Sequence, residues 1–183
     1  MARIILITGG SRSGKSTHAQ HIAESISGTR TYIATCPHID EEMTERIWKH
    51  REARESSCWQ TIEETIDLAG ALRKSKESQV ILVDCLTLWI NNILYEAGQR
   101  GESFNEEAIG SRCREVLNVC DGLPGTVIFV TNEVGMGIVP ESPDSRIYRD
   151  IAGRCNQIIA GRADVVIFMI SGLPLRIKGE KIE

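Results

Sequence analysis

The chain has 183 residues, with 21 Lys and Arg against 25 Asp and Glu, giving a formal net charge of −4. That length suits one compact domain over residues 1–183, and the 42% hydrophobic content is that of an ordinary globular protein. The mildly acidic balance argues against a non-specific nucleic-acid binder, and no apolar run approaches the ~20 residues needed to cross a bilayer.

The N-terminal Met1-Ala2-Arg3 runs straight into an apolar segment without a signal-peptide cleavage pattern, so a cytoplasmic location is expected. A strand is predicted over residues 4–8 and a helix over 15–25. A second strand follows at 31–35, then helices over 40–54 and 62–74. Further strands are expected at 80–84, 127–131 and 165–170, with helices over 105–120 and 145–160 between them. The strand segments are near-continuous apolar runs rich in β-branched residues, as expected of parallel strands covered by helices on both faces. Asn105 and Glu106 supply a cap and a first-turn acid for the fourth of these helices. Alternating strands and helices imply an α/β fold with a mostly parallel central sheet. The stretches 99–104 and 121–126 read as loops.

Six cysteines (Cys36, Cys58, Cys85, Cys113, Cys120, Cys155) form no Cys-x-x-Cys pair. They read as reduced thiols of a reducing compartment.

Gly9-Gly10-Ser11-Arg12-Ser13-Gly14-Lys15-Ser16, followed by Thr17, fits the phosphate-binding pattern G-x-x-x-x-G-K-[ST] between a strand and a helix. Gly9 and Gly14 let the backbone curl so that successive N–H groups face phosphate oxygens. Lys15 reaches the β and γ phosphates, Ser16 offers a hydroxyl to Mg²⁺, and the helix adds its positive end. Asp84, at the tip of a buried strand, is the matching carboxylate for the metal. A switch GTPase would carry Asn-Lys-x-Asp after a late strand, where this chain has Thr131-Asn132-Glu133-Val134. A small kinase or nucleotidyltransferase remains.

Arg46, His50 and Arg54 fall at i, i+4 and i+8 on the predicted helix 40–54, in one stripe. Flanking guanidiniums would keep the imidazole neutral and nucleophilic and bind negative charge on a nucleotide; the same pattern also describes a solvated face with an incidental histidine. His18 and His21 lack further ligands for a metal site, and His38 falls in the loop after the second strand.

Seven segments then carry a resemblance. They are residues 7–16 around the phosphate loop; Tyr32-Ile33-Ala34-Thr35; Asp40-Glu41-Glu42-Met43 through Arg46-Ile47 to His50-Arg51; and Val83-Asp84-Cys85-Leu86-Thr87-Leu88-Trp89. The others are Thr131-Asn132-Glu133-Val134-Gly135-Met136-Gly137-Ile138-Val139-Pro140, Arg149-Asp150-Ile151-Ala152-Gly153-Arg154 with Asn156-Gln157, and Gly172-Leu173-Pro174-Leu175. In this order the chain resembles the bifunctional adenosylcobinamide kinase / adenosylcobinamide-phosphate guanylyltransferases of cobalamin biosynthesis.

The resemblance implies a RecA-like P-loop NTPase fold and a homotrimer. It implies phosphorylation of adenosylcobinamide by ATP or GTP with Mg²⁺, then transfer of GMP from GTP through a histidine to adenosylcobinamide phosphate, releasing pyrophosphate. The family's histidine falls on His50. Nucleotide contacts are implied for the phosphate loop, for Ala34, Thr35 and Cys36, for Arg51, Glu52, Ala53 and Arg54, and for Glu63 and Asp84. Cys36 departs from the small residue expected there. Two rivals make different predictions: a kinase without guanylyl transfer forms no covalent GMP adduct, and a nucleotide-sensing subunit binds without turnover.

Overall fold

A computed structural model describes residues 1–37 and 59–180. Among them, seven strands form one sheet in the order β3-β2-β4-β5-β1-β6-β7. The strands are β1 (Arg3–Gly9), β2 (Arg30–Ala34), β3 (Trp59–Glu63), β4 (Val80–Asp84), β5 (Thr126–Val130), β6 (Val165–Ile170) and β7 (Leu173–Lys178). All pairings are parallel except that of β6 with β7. The described helices are α1 (Lys15–Ser25), α2 (Leu68–Lys74), α3 (Leu86–Gln99), α4 (Glu106–Asp121) and α5 (Pro143–Arg162).

Strand alternation divides the core into two layers. Ile4, Leu6, Ile81, Val83, Val127 and Phe129 face α2–α5, whose Leu68, Trp89, Ile109 and Ile151 complete that layer. Ile5, Ile7, Val80, Leu82, Ile128 and Val130 face the opposite way, where α1 covers them with Ala19, Ile22 and Ala23. Both faces of the central strands are therefore dry, which is why they read as unbroken apolar runs. Among the described residues Trp89 is the largest fully buried side chain, and its indole N–H donates to the Ile66 carbonyl at 2.8 Å. That bond removes the cost of burying the one polar atom of the ring.

The predicted strands at 4–8, 31–35, 80–84, 127–131 and 165–170 correspond to β1, β2, β4, β5 and β6, and helix 15–25 to α1. Asn105 caps α4 as expected, its side chain accepting from the Ala108 N–H at 3.0 Å. Two expectations change. The predicted helix 62–74 begins only at Leu68, because Ile62 and Glu63 complete β3 and Asp67 caps the helix through the Gly70 N–H. The chain also adds β3, β7 and α3, which were not anticipated. The predicted helix 40–54 lies outside the described residues.

All six parallel strands end on one edge of the sheet. That edge gathers the loops after β1, β2, β3, β4, β5 and β6, the general location of ligand sites in open α/β sheets.

Candidate active site

β1 is buried up to Gly9, where the chain turns through residues 10–14 into α1. Gly9 has φ 146°, and a Cβ there would lie 2.5 Å from the Met169 carbonyl oxygen of β6. Gly14, at φ 91°, starts α1 without a capping side chain, and the first turn of α1 contains no acid. The free amides and dipole at this end can thus receive an external anion.

Lys15 is buried, at 7% exposure, in the mouth of this loop. Its ammonium donates to the Gly10 carbonyl at 2.6 Å and lies 3.5 Å from Ser13 Oγ. Burial lowers its pKa, while Cys85 and Asp84 act in the opposite direction. The Asp84 carboxylate thus reaches Lys15 electrostatically from another strand.

The remaining strand ends fall into register beside it. Ala34 pairs with both Glu63 and Asp84, aligning the tips of β3, β2 and β4. Asp84 Oδ2 accepts from the Tyr32 hydroxyl at 3.1 Å. One strand, β5, separates Asp84 from the phosphate loop. The separation of two strand spacings, about 10 Å, leaves room over β5 for phosphate oxygens and a hydrated cation.

Thr35 locks the tip of β2 to β4. Its hydroxyl donates to the Cys85 carbonyl and accepts from the Cys85 N–H, both at 2.7 Å. The peptide between Asp84 and Cys85 is cis. Asn92 of α3 is buried and donates to the carbonyls of Thr35 at 2.8 Å and Thr65 at 3.2 Å. One amide group therefore holds the segments leaving β2 and β3.

The loop after β5 is fastened to the phosphate loop by its backbone. Thr131 N–H donates to the Ile7 carbonyl and Glu133 N–H to the Gly9 carbonyl, each at 3.0 Å. Side chains root it on the other face: Thr131 to Asn156 at 2.8 Å, Asn156 to the Asn132 carbonyl at 3.2 Å, and Asn132 to Thr87 Oγ1 at 3.2 Å. Thr87 Oγ1 in turn meets Cys85 Sγ at 3.0 Å. Burial, with help from the Asp84 charge, raises the Cys85 pKa to about 11, so this thiol is neutral at physiological pH.

The matching family model is that of cobinamide kinase / cobinamide phosphate guanyltransferase, over residues 5–177. The chain belongs to this family. It is 44% identical to the bifunctional adenosylcobalamin biosynthesis protein CobP of Pseudomonas aeruginosa, over 97% of this chain and 98% of that one. It is 39% identical to the bifunctional adenosylcobalamin biosynthesis protein CobU of Escherichia coli K12, over 96% and 99%. Among solved structures it is similar to a type III secretion system ATPase of pathogenic bacteria, with TM-score 0.59 and 14% identity, covering 91% of this chain and 50% of that chain. This last likeness carries the fold alone, and the expected α/β class with a mostly parallel central sheet stands.

The sheet edge brings together Gly9, Gly10, Ser11, Arg12, Ser13, Gly14, Lys15, Ser16 and Thr17 after β1, Ala34, Thr35 and Cys36 at β2, Glu63 at β3, and Asp84 at β4. His50, Arg51, Glu52, Ala53 and Arg54 lie outside the described residues, as does His38. Sequence reasoning gave no role to Tyr32, Thr87, Asn92 or Asn156. Asn92 did leave a signal: it is a polar residue on the buried face of a largely apolar helical stretch, Leu86-Thr87-Leu88-Trp89-Ile90-Asn91-Asn92-Ile93. Among the described residues no cluster of three or more His, Cys, Asp or Glu could hold a metal. The hard oxygen donors of Ser16 and Asp84 fit Mg²⁺, which takes few protein ligands and completes its shell with phosphate and water. None of the five described cysteines forms a disulfide.

Proposed function

We propose that this chain, as a single domain over 1–183, phosphorylates adenosylcobinamide with ATP or GTP. It then converts the product to adenosylcobinamide-GDP with GMP taken from GTP. The observation that carries the reading is the convergence of the phosphate loop and Asp84 on one sheet edge, on either side of β5, in a chain of the cobinamide kinase and guanyltransferase family.

The residues divide the work by chemistry. Amides of residues 9–17 and the end of α1 bind the phosphate chain, and Lys15 neutralises its outer oxygens. Ser16 and Asp84 would hold Mg²⁺, which supplies charge neutralisation on phosphate oxygens. In the kinase step the substrate hydroxyl oxygen attacks the γ-phosphorus and releases its proton, the nucleoside diphosphate leaves, and a carboxylate, Asp84 or Glu63, would orient the metal or the nucleophile. In the second reaction an imidazole nitrogen of His50 attacks the α-phosphorus of GTP and pyrophosphate departs. A phosphate oxygen of adenosylcobinamide phosphate then displaces His50 from phosphorus, restoring the imidazole. Ala34, Thr35, Cys36, Glu63 and Arg51–Arg54 surround the nucleotide in this reading. A homotrimer and a cytoplasmic location accompany it, both resting on the family resemblance.

The test is to incubate the protein with adenosylcobinamide, Mg²⁺ and either ATP or GTP, and to follow the corrinoid products by mass spectrometry. The phosphate should form first and the GDP ester only with GTP. A phosphate that is never carried on to the GDP ester would reduce the protein to a kinase. Nucleotide binding without any product would leave a sensing subunit.

A further inference from the structure

The loop between β5 and α5 has a feature that phosphate chemistry does not require. Both of its ends are fixed: Glu133 N–H is bonded to Gly9, and Arg146 donates to the carbonyls of Pro140 at 3.0 Å and Glu141 at 2.5 Å. Val134 still packs against the core. Between these anchors the loop turns aliphatic side chains into solvent, with Met136 at 78% exposure, Ile138 at 96% and Val139 at 60%. Apolar side chains held out by a rooted loop mark a surface that something else covers.

Position selects the occupant. The loop leaves β5, the strand between Asp84 and the phosphate loop, so it rises beside the gap in which a phosphorus under attack must lie. The nucleotide takes the polar amides of residues 9–17; the group left to approach from above β5 is the acceptor. Taking the function proposed above as given, that acceptor is a corrinoid, a large macrocycle whose rim carries methyl groups between its amide side chains, so that its methyl-bearing edge offers apolar contact. A second copy of the chain has a different apolar strip available, Leu173, Leu175 and Ile177 along the edge strand β7.

We propose that Met136, Ile138 and Val139 form the platform on which the corrin ring of the acceptor rests while its hydroxyl or phosphate arm reaches over β5. These residues set acceptor affinity and take no part in binding the nucleotide.

The experiment uses the full chain carrying Met136→Ser and Ile138→Ser together, with Met136→Leu/Ile138→Val as the conservative pair and Ile177→Ser as a control on β7. Steady-state kinetics with adenosylcobinamide at saturating nucleotide should show KM raised on the order of tenfold or more in the serine pair, the loss expected for removing apolar contacts. The conservative pair and the β7 control should keep the KM of the unsubstituted protein. GMP loading from GTP alone, which needs no corrinoid, should be the same in all four proteins. An unchanged KM in the serine pair overturns the proposal while leaving the enzyme's function intact. So does a change of its oligomeric state, measured by light scattering, since the platform would then belong to a second copy. Failure of the unsubstituted protein to turn over adenosylcobinamide overturns the underlying function and the platform with it.

Discussion

Two loops rise side by side from the same sheet edge, and they are built in opposite ways. The phosphate loop after β1 is glycine-shaped, with Gly10, Ser11 and Arg12 exposed and its buried lysine folded onto the loop's own backbone, Lys15 on Gly10. The loop after β5 is rooted by side chains from α3 and α5, Thr87 and Asn156, and presents aliphatic groups to solvent. The first is made of backbone geometry, which suits a ligand identical in every nucleotide. The second is made of side chains on a fixed root, which suits recognition of one particular partner molecule. They meet at the backbone bond from Glu133 to Gly9.

Lys15→Ala should give the largest effect. Loss of the buried ammonium should lower kcat for both reactions by about 10³-fold. The melting temperature should not fall, because the lysine is held at a desolvation cost. A variant that melts early would make Lys15 a structural member of the loop and weaken the contrast between the two loops. Asp84→Asn keeps the shape of the β4 tip and removes its charge. It should lower kcat by about 10²-fold, with the loss only partly restored by raised Mg²⁺, read from rates across a magnesium titration.

The second loop should respond through stability and acceptor binding. Asn156→Ala leaves the Thr131 hydroxyl and the Asn132 carbonyl without this partner, and should cost about 1–3 kcal/mol in urea unfolding. GMP loading should hold nearly constant. Equal loss of GMP loading and acceptor turnover would show that the two loops act as one.

Cys85 acts only at alkaline pH and sits between the two, beside Thr87 and within the field of Lys15. Its pKa rises from 9.0 unfolded to about 11 folded, mainly through burial, so the folded state holds the proton more tightly. Stability associated with this thiol is therefore intact below pH 9 and is lost as pH climbs toward 11, by up to about 1.4 kcal/mol per pH unit. Cys85→Ala should flatten that slope in unfolding measurements between pH 8.5 and 11.

The sequence exposed those parts of the molecule whose physics is local. β1, β2, β4, β5 and β6 are covered on both faces or nearly so, and their apolar runs announce it. The phosphate loop is legible because glycine spacing alone shapes it. The edge strands were hidden: Trp59-Gln60-Thr61-Ile62-Glu63 mixes polar and apolar residues, and Leu173-Pro174-Leu175-Arg176-Ile177-Lys178 is exposed throughout and contains a proline that only an edge tolerates. Helix α3 was missed because its apolar residues follow β4 with only Cys85 between them. Within the site, Asp84 could be read from its strand-end position. The roles of Tyr32, Asn92 and Asn156 could not, since each depends on partners 24 or more residues away.

The most direct test of the account is intact-mass analysis after incubation with GTP and Mg²⁺, comparing the unsubstituted protein with His50→Ala and Lys15→Ala. The account predicts a mass gain of one GMP on the unsubstituted chain, absent from both variants, with the modified peptide containing His50. A GMP adduct that persists in His50→Ala would contradict it, as would an unmodified chain that still makes adenosylcobinamide-GDP.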